Sequence, residues 1–189
     1  DLALMRALPG MIVLQPCDEL ETKQAVTFMA EHNGYSYIRL TRQKLPDING
    51  PDYRFQVGKG IVLADGKDLT IMATGSTVAE AVHAGKILQE KGISARVVNI
   101  HTIKPIDKDL VARCAKETGR IFTVEDHNIM GGMGSAVAEV VCETHPVPVR
   151  RWGLLDKFGE SGDPKELYAK YELDAAGIAR QAAAFVQEK

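Results

Sequence analysis

The hydrophobic and polar positions of the chain form two patterned regions with an unpatterned polar stretch between them. In the first region, apolar runs at residues 11–14 and 36–40 have the length of strands, and apolar side chains recur at helical spacing between them. Asp18, followed three residues later by Glu21, predicts the start of that helix, and Asn33-Gly34 predicts its end. The first region is therefore predicted to be a strand–helix–strand unit.

The polar stretch "QKLPDINGPDYRFQ", residues 43–56, has the composition of a linker. It contains two prolines, Asn49-Gly50 and charges of both signs, and no apolar periodicity runs through it. We place the end of the first region at residue 50, the linker at residues 51–57 and the second region at residues 58–189.

The second region alternates strand-like apolar runs with helix-like amphipathic stretches. Predicted strands cover residues 58–63, 69–73, 95–100, 121–124 and 147–150, and predicted helices cover 77–91, 134–143 and 174–187, with further helices opened by Asp107 and Asp163-Pro164. The turn at residues 64–67 is suited to an antiparallel hairpin between the first two strands. Because almost continuously apolar strands alternate with helices, we predict an α/β domain. Its sheet should be mostly parallel, with one antiparallel edge strand and helices on both faces.

The composition is typical of a soluble globular protein and limits the range of partners. Of 189 residues, 45% are hydrophobic and 25% are charged, and the formal net charge is -2. The chain lacks the basic surplus that binding to nucleic acid or to an anionic membrane surface requires. No apolar run approaches the roughly 20 residues of a membrane span, and no signal peptide pattern is found. We therefore expect a cytoplasmic protein.

Three cysteines are scattered along the chain. Cys17, Cys114 and Cys142 have neither the CxxC spacing of a zinc site nor the even number of a disulfide framework. We interpret them as reduced thiols that serve packing.

The stretch "RIFTVEDHNIMGGMGSAVAEVV", residues 120–141, contains a glycine cluster between a predicted strand and a predicted helix. Exposed N–H groups at the start of a helix favour anions. The match to GxGxxG is incomplete, however, because Val137 follows Gly132 and Gly134 where the third glycine is required. No acidic residue ends a strand about 20 residues later, as a dinucleotide site would require. With Gly131, the cluster is better interpreted as a tight packing turn, and an anion-binding module remains the alternative.

Glu125, Asp126 and His127 follow an apolar strand, and the carboxyl ends of parallel strands commonly line a ligand crevice. They could form an acid/base cluster, although the pattern favours a buried or interfacial polar network. His101 follows another strand in an analogous place, where we favour a structural role over a ligand role.

Two arginines lie in "YIRLTRQKLP", at and just beyond the carboxyl end of a predicted strand. Arg42, past the strand, could bind a phosphate or carboxylate through two parallel hydrogen bonds. Periodicity alone favours surface salt bridges for both Arg39 and Arg42.

Four stretches resemble, in order and spacing, the C-terminal part of transketolase: "DLALMRALPGMIVLQPCDELET", "YIRLTRQKLP", "NIHTIKPID" and "TVEDHNIMGGMGSAVAEVV". The resemblance covers essentially the whole chain. Two relatives in the thiamine-diphosphate superfamily remain alternatives, 1-deoxyxylulose-5-phosphate synthase and the beta subunits of 2-oxo acid dehydrogenase E1 components. The segment "GLLDKFGESGDPKELYAKYELDAAGI" also resembles the synthase. The segment around Arg42 is closer to the transketolase form "SRQNLP", with Thr41 in place of Ser and Lys44 in place of Asn.

The resemblance implies both a domain organisation and an activity. Residues 1–50 would be the truncated end of a pyrimidine-binding domain, and residues 58–189 would be the transketolase C-terminal domain. The complete enzyme would be a cytoplasmic homodimer of carbohydrate metabolism, in the pentose phosphate pathway. It would transfer a two-carbon ketol unit between sugar phosphates, using thiamine diphosphate and a divalent metal. Arg42 would bind a substrate phosphate.

The resemblance also implies what this chain lacks. The family's glutamate that activates the aminopyrimidine, its substrate-binding His and Asp residues, and its diphosphate and metal ligands match no position of this sequence. We therefore assign no catalytic, cofactor-binding or metal-binding residue, and expect no cofactor on the isolated chain. The sequence opens at Asp1 within a helical pattern, so we expect a truncated, inactive portion. Its partner would be the rest of the transketolase chain or a separate N-terminal subunit.

Overall fold

A computed structural model describes residues 1–188, which form seven helices and eight strands. In chain order they are α1 (Leu2–Ala7), β1 (Ile12–Leu14), α2 (Glu19–Glu31), β2 (Ser36–Ile38), β3 (Ile61–Ala64), β4 (Leu69–Ala73), α3 (Thr77–Glu90), β5 (Ala95–Asn99), β6 (Thr102–Lys104), α4 (Lys108–Thr118), β7 (Ile121–Asn128), α5 (Met133–Thr144), β8 (Val149–Leu154), α6 (Pro164–Lys170) and α7 (Ala175–Gln187). No helix within residues 1–188 is long and apolar enough to cross a membrane.

The second region forms a five-stranded sheet in the order β3-β5-β4-β7-β8, with all neighbours parallel except β3. Successive residues of a strand point to opposite faces, so Ile71 packs with α3 and α7 while Met72 packs with α4 and α5. Both faces are therefore buried, which explains the continuous apolar runs. The predicted α/β fold, with its antiparallel edge strand and helices on both faces, is confirmed.

The predicted hairpin between the first two strands is wrong. β3 pairs antiparallel with β5, with Val62 opposite Val98, and β4 lies on the other side of β5. The turn between β3 and β4 crosses the start of β5, where the backbone N of Lys67 and of Asp68 both donate to the carbonyl oxygen of Ser94. A turn sequence favours a reversal of direction, but it does not determine which strand becomes the neighbour.

The first region contains the predicted strand–helix–strand unit, with β1 and β2 parallel. Its sheet has a third strand that the sequence did not indicate: β6, from the second region, pairs antiparallel with the other edge of β1. The backbone N of Gln15 extends this contact by donating to the carbonyl oxygen of His101 at 2.8 Å. The two regions thus share one small sheet.

Several predicted boundaries shift by a few residues. β2 ends at Ile38 rather than residue 40, and Leu40 is exposed. β7 continues to Asn128 and β8 to Leu154, because these two strands resume pairing beyond an irregularity, with Asn128 opposite Leu154.

Candidate functional site

The Gly-rich loop between β7 and α5 surrounds a carboxylate of the chain itself. Glu125, on β7, is fully buried. Its Oε2 accepts a hydrogen bond from the backbone N of Met133 at 2.6 Å, and its Oε1 accepts one from the backbone N of Gly134 at 3.0 Å. Gly132, the N-cap residue of α5, has no side chain that could cap the helix. Glu125 therefore provides the cap from the neighbouring strand, in the place that a phosphate would take.

The glycines of this loop are required by close contacts. A Cβ added at Gly132 would lie 2.2 Å from Oε2 of Glu125, and one added at Gly134 would lie 2.5 Å from Oγ1 of Thr123. Gly131 has a φ of 74° and faces Ala3 of α1. The structure thus supports the interpretation of this loop as a packing turn.

His127 lies next to Glu125 on the same side of β7. Burial raises the pKa of the Glu125 carboxyl from about 4.5 to about 8, against the effect of its two backbone donors. Burial also lowers the pKa of His127, whose Nδ1 lies 3.1 Å from the carbonyl oxygen of Asn128. Nε2 of His127 lies 3.4 Å from Oε2 of Glu125 and has no hydrogen-bond partner within residues 1–188. A neutral His127 with its proton on Nδ1 therefore presents an acceptor nitrogen to the Glu125 carboxyl.

Asp126 points to the opposite side of β7 and joins the two regions. Its Oδ1 accepts hydrogen bonds from Nη1 of Arg39 at 2.6 Å and from Nε2 of Gln15 at 3.1 Å. Its Oδ2 accepts one from Oγ of Ser76 at 2.8 Å. The structure therefore supports an interfacial polar network, because Glu125 and Asp126 face different surroundings and do not converge on one crevice.

His101 is buried in an aromatic contact rather than in a crevice. Its ring centroid lies 4.7 Å from that of Phe55 in the predicted linker, and Oγ1 of Thr102 lies 2.9 Å from its Nδ1. Burial lowers the pKa of His101, which favours the neutral imidazole. These contacts agree with a structural role.

The two arginines at the end of β2 have different surroundings. Arg39 is partly buried and pairs with Asp126. Arg42 is exposed, and its guanidinium forms no ion pair or hydrogen bond with any of residues 1–188. Arg42 therefore keeps its five N–H donors available for a ligand.

Residues 39–48, here called the Arg42 loop, are held at both ends by carboxylates of low exposure. At the start, Arg39 pairs with Asp126. At the end, the backbone N of Ile48 and of Asn49, just past the loop, donate to Oδ2 of Asp18 at 3.0 and 2.7 Å. Oδ1 of Asp18 caps α2 by accepting from the backbone N of Glu21. Asp18 thus has two roles, of which its sequence context indicates only the cap.

The sequence did not predict a buried polar cluster around Glu21. Glu21 accepts hydrogen bonds from the backbone N of Cys17 at 2.8 Å, from the hydroxyl of Tyr53 at 2.7 Å and from Nδ2 of Asn99 at 2.9 Å. The capping pattern singled out Glu21, but no local signal indicates a contact with a residue 78 positions later.

The cysteines differ in their burial. Cys17 and Cys114 are buried free thiols, as a packing role requires, whereas the interpretation of Cys142 as a packing residue is wrong because it is exposed. Burial, followed by the charge of Glu21, raises the pKa of the Cys17 thiol, which keeps it protonated and unreactive.

Inorganic phosphate should leave the Gly-rich loop unchanged, because the N–H groups of Met133 and Gly134 already donate to Glu125. An NMR titration of the isotope-labelled chain measures this through the amide shifts of these two residues, with the amide of Gly177, capped by Asp174 in α7, as the control. Saturable shifts confined to Met133 and Gly134 would instead support the anion-binding module.

Two family models match the chain in consecutive order. The model described as "Transketolase, pyrimidine binding domain" matches residues 1–47, and the model described as "Transketolase, C-terminal domain" matches residues 58–178.

Curated relatives include proteins named as a subunit or a section of a transketolase. The chain is 42% identical over 189 residues, 100% of its length, to a subunit of the apulose-4-phosphate transketolase of Phocaeicola vulgatus, and it covers 60% of that protein. It is 45% identical over 184 residues, 96% of its length, to a putative transketolase C-terminal section of Methanocaldococcus jannaschii, of which it covers 57%. It is also 37% identical over 200 residues to 1-deoxy-D-xylulose-5-phosphate synthase 1 of Geobacter sulfurreducens, matching 100% of this chain and 30% of that protein. The chain spans less than two thirds of each relative.

A solved structure described as "Split gene transketolase, inactive beta4 tetramer" superimposes with a TM-score of 0.93 at 46% identity, over 99% of this chain and 62% of that chain. With both domain models matched in order and relatives of the same kind, the chain belongs to the transketolase family, as a C-terminal portion.

Proposed function

We propose that this chain is the C-terminal part of a thiamine-diphosphate-dependent transketolase that transfers a two-carbon ketol unit between sugar phosphates. In this proposal, residues 1–50 end the pyrimidine-binding domain, residues 51–57 form the linker and residues 58–189 form the C-terminal domain. The order of the two matched domain models supports this division.

The proposal rests on the exposed guanidinium of Arg42. Its guanidinium is exposed and forms no ion pair within residues 1–188, while Arg39 in the same segment is occupied by Asp126. A planar guanidinium on an anchored loop can donate two parallel hydrogen bonds to a phosphate, and charge-assisted bonds of this kind are strong. Together with a relative named for a sugar phosphate, this residue supports a phosphorylated sugar as the substrate class.

Residues 1–188 do not by themselves fit a thiamine diphosphate site. No group of three or more His, Cys, Asp or Glu side chains among them could hold a metal ion. The buried carboxylates of Glu21 and Glu125 are both hydrogen-bonded to groups of this chain. The cofactor and its metal would therefore be bound with residues contributed by the rest of the enzyme, and no step of the reaction is assigned to this chain through them.

The partner in this proposal is the remainder of a transketolase, in the same chain or as a separate subunit, in a homodimeric assembly. The relative from Phocaeicola vulgatus is named as one subunit of its enzyme, which supports a separate subunit here. The description of the similar split-gene structure as inactive supports a lack of activity in this part alone.

Arg42→Ala in the completed enzyme should raise KM for phosphorylated substrates roughly 10- to 100-fold, since a charge-assisted contact contributes about 1.5–3 kcal/mol. Steady-state kinetics with a phosphorylated and an unphosphorylated ketose measures the effect, which should be confined to the former. Arg113→Ala is the matched control, because Arg113 is an exposed arginine on α4. Equal KM values for phosphorylated substrates in Arg42→Ala and wild type would exclude the assignment.

The isolated chain should show no ketol transfer with thiamine diphosphate and a divalent metal, and activity should return when the N-terminal part is added. A coupled assay of both preparations measures this. Turnover by the chain alone would refute the division of the active site that we propose.

A second candidate is 1-deoxyxylulose-5-phosphate synthesis, favoured by the synthase relative that matches the whole chain at 37% identity. Assaying the completed enzyme with pyruvate as donor distinguishes it from ketol transfer with a ketose phosphate.

A further inference from the structure

Asp126 connects the Arg42 loop to the second region through a continuous set of hydrogen bonds. Nη1 of Arg39 donates to Oδ1 of Asp126 at 2.6 Å, and Oγ of Ser76 donates to Oδ2 at 2.8 Å. The hydroxyl of Tyr168, on α6, donates to Oγ of Ser76 at 2.7 Å. The side chains of Arg39 and Asp126 are only 23% and 13% exposed, so solvent screens their attraction incompletely.

The orientation of Ser76 shows how this network is organised. Ser76 is the N-cap residue of α3, yet its side chain forms no cap bond with that helix. A serine at this position commonly accepts a hydrogen bond from its own helix. Here the hydroxyl donates to Asp126 and accepts from Tyr168, so it extends the network from β7 to α6.

Arg39 fixes the start of the Arg42 loop. Its backbone N donates to the carbonyl oxygen of Leu14 at 2.9 Å, which continues the pairing with β1 just past the end of β2. Residues 43–46 of the loop line a cavity of about 390 Å³ together with Ser76 and Tyr168. Two members of the hydrogen-bonded network, Ser76 and Tyr168, therefore face the same cavity as the Arg42 loop.

We propose that Asp126 is a positioning residue for Arg42. By holding Arg39 against the second region, Asp126 sets the place at which the loop presents the Arg42 guanidinium. The C-terminal domain thereby contributes to recognition of the substrate phosphate without contacting it. This inference rests on the function proposed above for Arg42.

The test uses Asp126→Ala in the completed enzyme. Loss of the carboxylate removes the ion pair that ties Arg39 to the second region and leaves Nε of Arg39 3.9 Å from Oδ1 of Asp1. The Arg42 guanidinium then loses its fixed place relative to the bound phosphate. We expect KM for a phosphorylated ketose to rise about tenfold, with kcat and the KM of an unphosphorylated ketose unchanged. In an Arg42→Ala background, Asp126→Ala should raise KM for the phosphorylated ketose little further, because the effects of two residues that act through one contact are not additive. Asp109→Ala, an exposed acid on α4, is the control for the change in charge.

The outcomes separate this inference from the function on which it rests. If Arg42→Ala raises KM for phosphorylated substrates and Asp126→Ala does not, the positioning role is excluded and the function of Arg42 stands. If Arg42→Ala has no effect, the proposed function itself fails. If Asp126→Ala impaired the kinetics equally with the phosphorylated and the unphosphorylated ketose, Asp126 would have a general structural role and the inference would be overturned. Asp126→Asn, which keeps the size and one acceptor oxygen, decides by the same criteria if Asp126→Ala does not fold.

Discussion

Glu125→Ala should lower the free energy of unfolding by about 2–4 kcal/mol, as measured by urea denaturation. The substitution leaves the backbone N–H groups of Met133 and Gly134 without their acceptor, and each unsatisfied buried donor costs roughly 1–3 kcal/mol. It also removes the cap of α5, which Gly132 cannot replace.

Glu125→Gln is the matched variant, because its amide oxygen can still accept from the start of α5 without carrying a charge. Since the pKa of Glu125 is raised to about 8, the folded protein retains a proton between about pH 4.5 and 8 that the unfolded chain has released. The stability contributed by this protonated carboxyl is fully present below about pH 4.5 and is lost as the pH rises through about 8. Wild type should therefore lose stability relative to Glu125→Gln across this interval. Because Nε2 of His127 lies 3.4 Å from Oε2 of Glu125, the difference between the two proteins reports the coupled titration of Glu125 and His127.

Two results would contradict this account. Equal stability of Glu125→Ala and wild type would mean that α5 does not need its cap from β7. A stability difference between Glu125→Gln and wild type that stays constant with pH would mean that the pKa of this carboxyl is not raised by burial.

Asp18→Ala should lower the free energy of unfolding by about 3 kcal/mol. Asp18 caps α2 and also accepts hydrogen bonds from the backbone N of Ile48 and of Asn49. The same substitution should make the Arg42 loop more mobile and speed tryptic cleavage after Arg42 and Lys44. Urea denaturation and limited proteolysis measure the two effects.

Asp163→Ala is the matched control for Asp18→Ala. Asp163 is an exposed N-cap that accepts from the backbone N of Lys165 and of Glu166, at the start of α6. Asp163→Ala should lower the free energy of unfolding by only about 1 kcal/mol. If both variants lose the same stability, the anchoring of the Arg42 loop by Asp18 contributes nothing beyond the cap.

Local patterns were sufficient to predict most elements of the fold. Runs such as β4 and β5 are buried on both faces, so their apolar continuity identifies them as inner strands of a parallel sheet. Helix starts could also be predicted, because each is marked by a capping aspartate. Asp18, Asp107 and Asp163 each accept a hydrogen bond from a backbone N–H in the first turn of the helix that follows. Both kinds of signal are confined to neighbouring residues.

Pairing between distant segments could not be predicted in the same way. The residues of β6 are too few to show a period, and their partner strand β1 lies in the other region. Periodicity indicates which face of a strand is buried, but not which strand lies beside it, and the wrong hairpin at β3 has the same origin. Periodicity favoured a surface salt bridge for both Arg39 and Arg42 for a related reason, since the partner that distinguishes them, Asp126, is 87 positions from Arg39.

The Gly-rich loop is an instructive intermediate case. Its pattern indicates a helix start that favours an anion, and the structure places a buried carboxyl group there. The group is Glu125 of the preceding strand, eight residues before Met133. Sequence spacing alone cannot distinguish such an internal carboxylate from an external phosphate.

The pairing of β1 with β6 has a consequence for exchanging parts between members of this family. A crossover within residues 51–57 looks harmless, but it would combine β1 from one parent with β6 from the other. Chimeras joined there should depend on compatibility at Val13, Leu14, Thr102 and Lys104, the residues that face each other across this pair. A crossover after Lys104 would keep both strands from one parent, but would divide the five-stranded sheet between its neighbouring strands β4 and β7. The two regions should therefore be exchanged between parents as one unit.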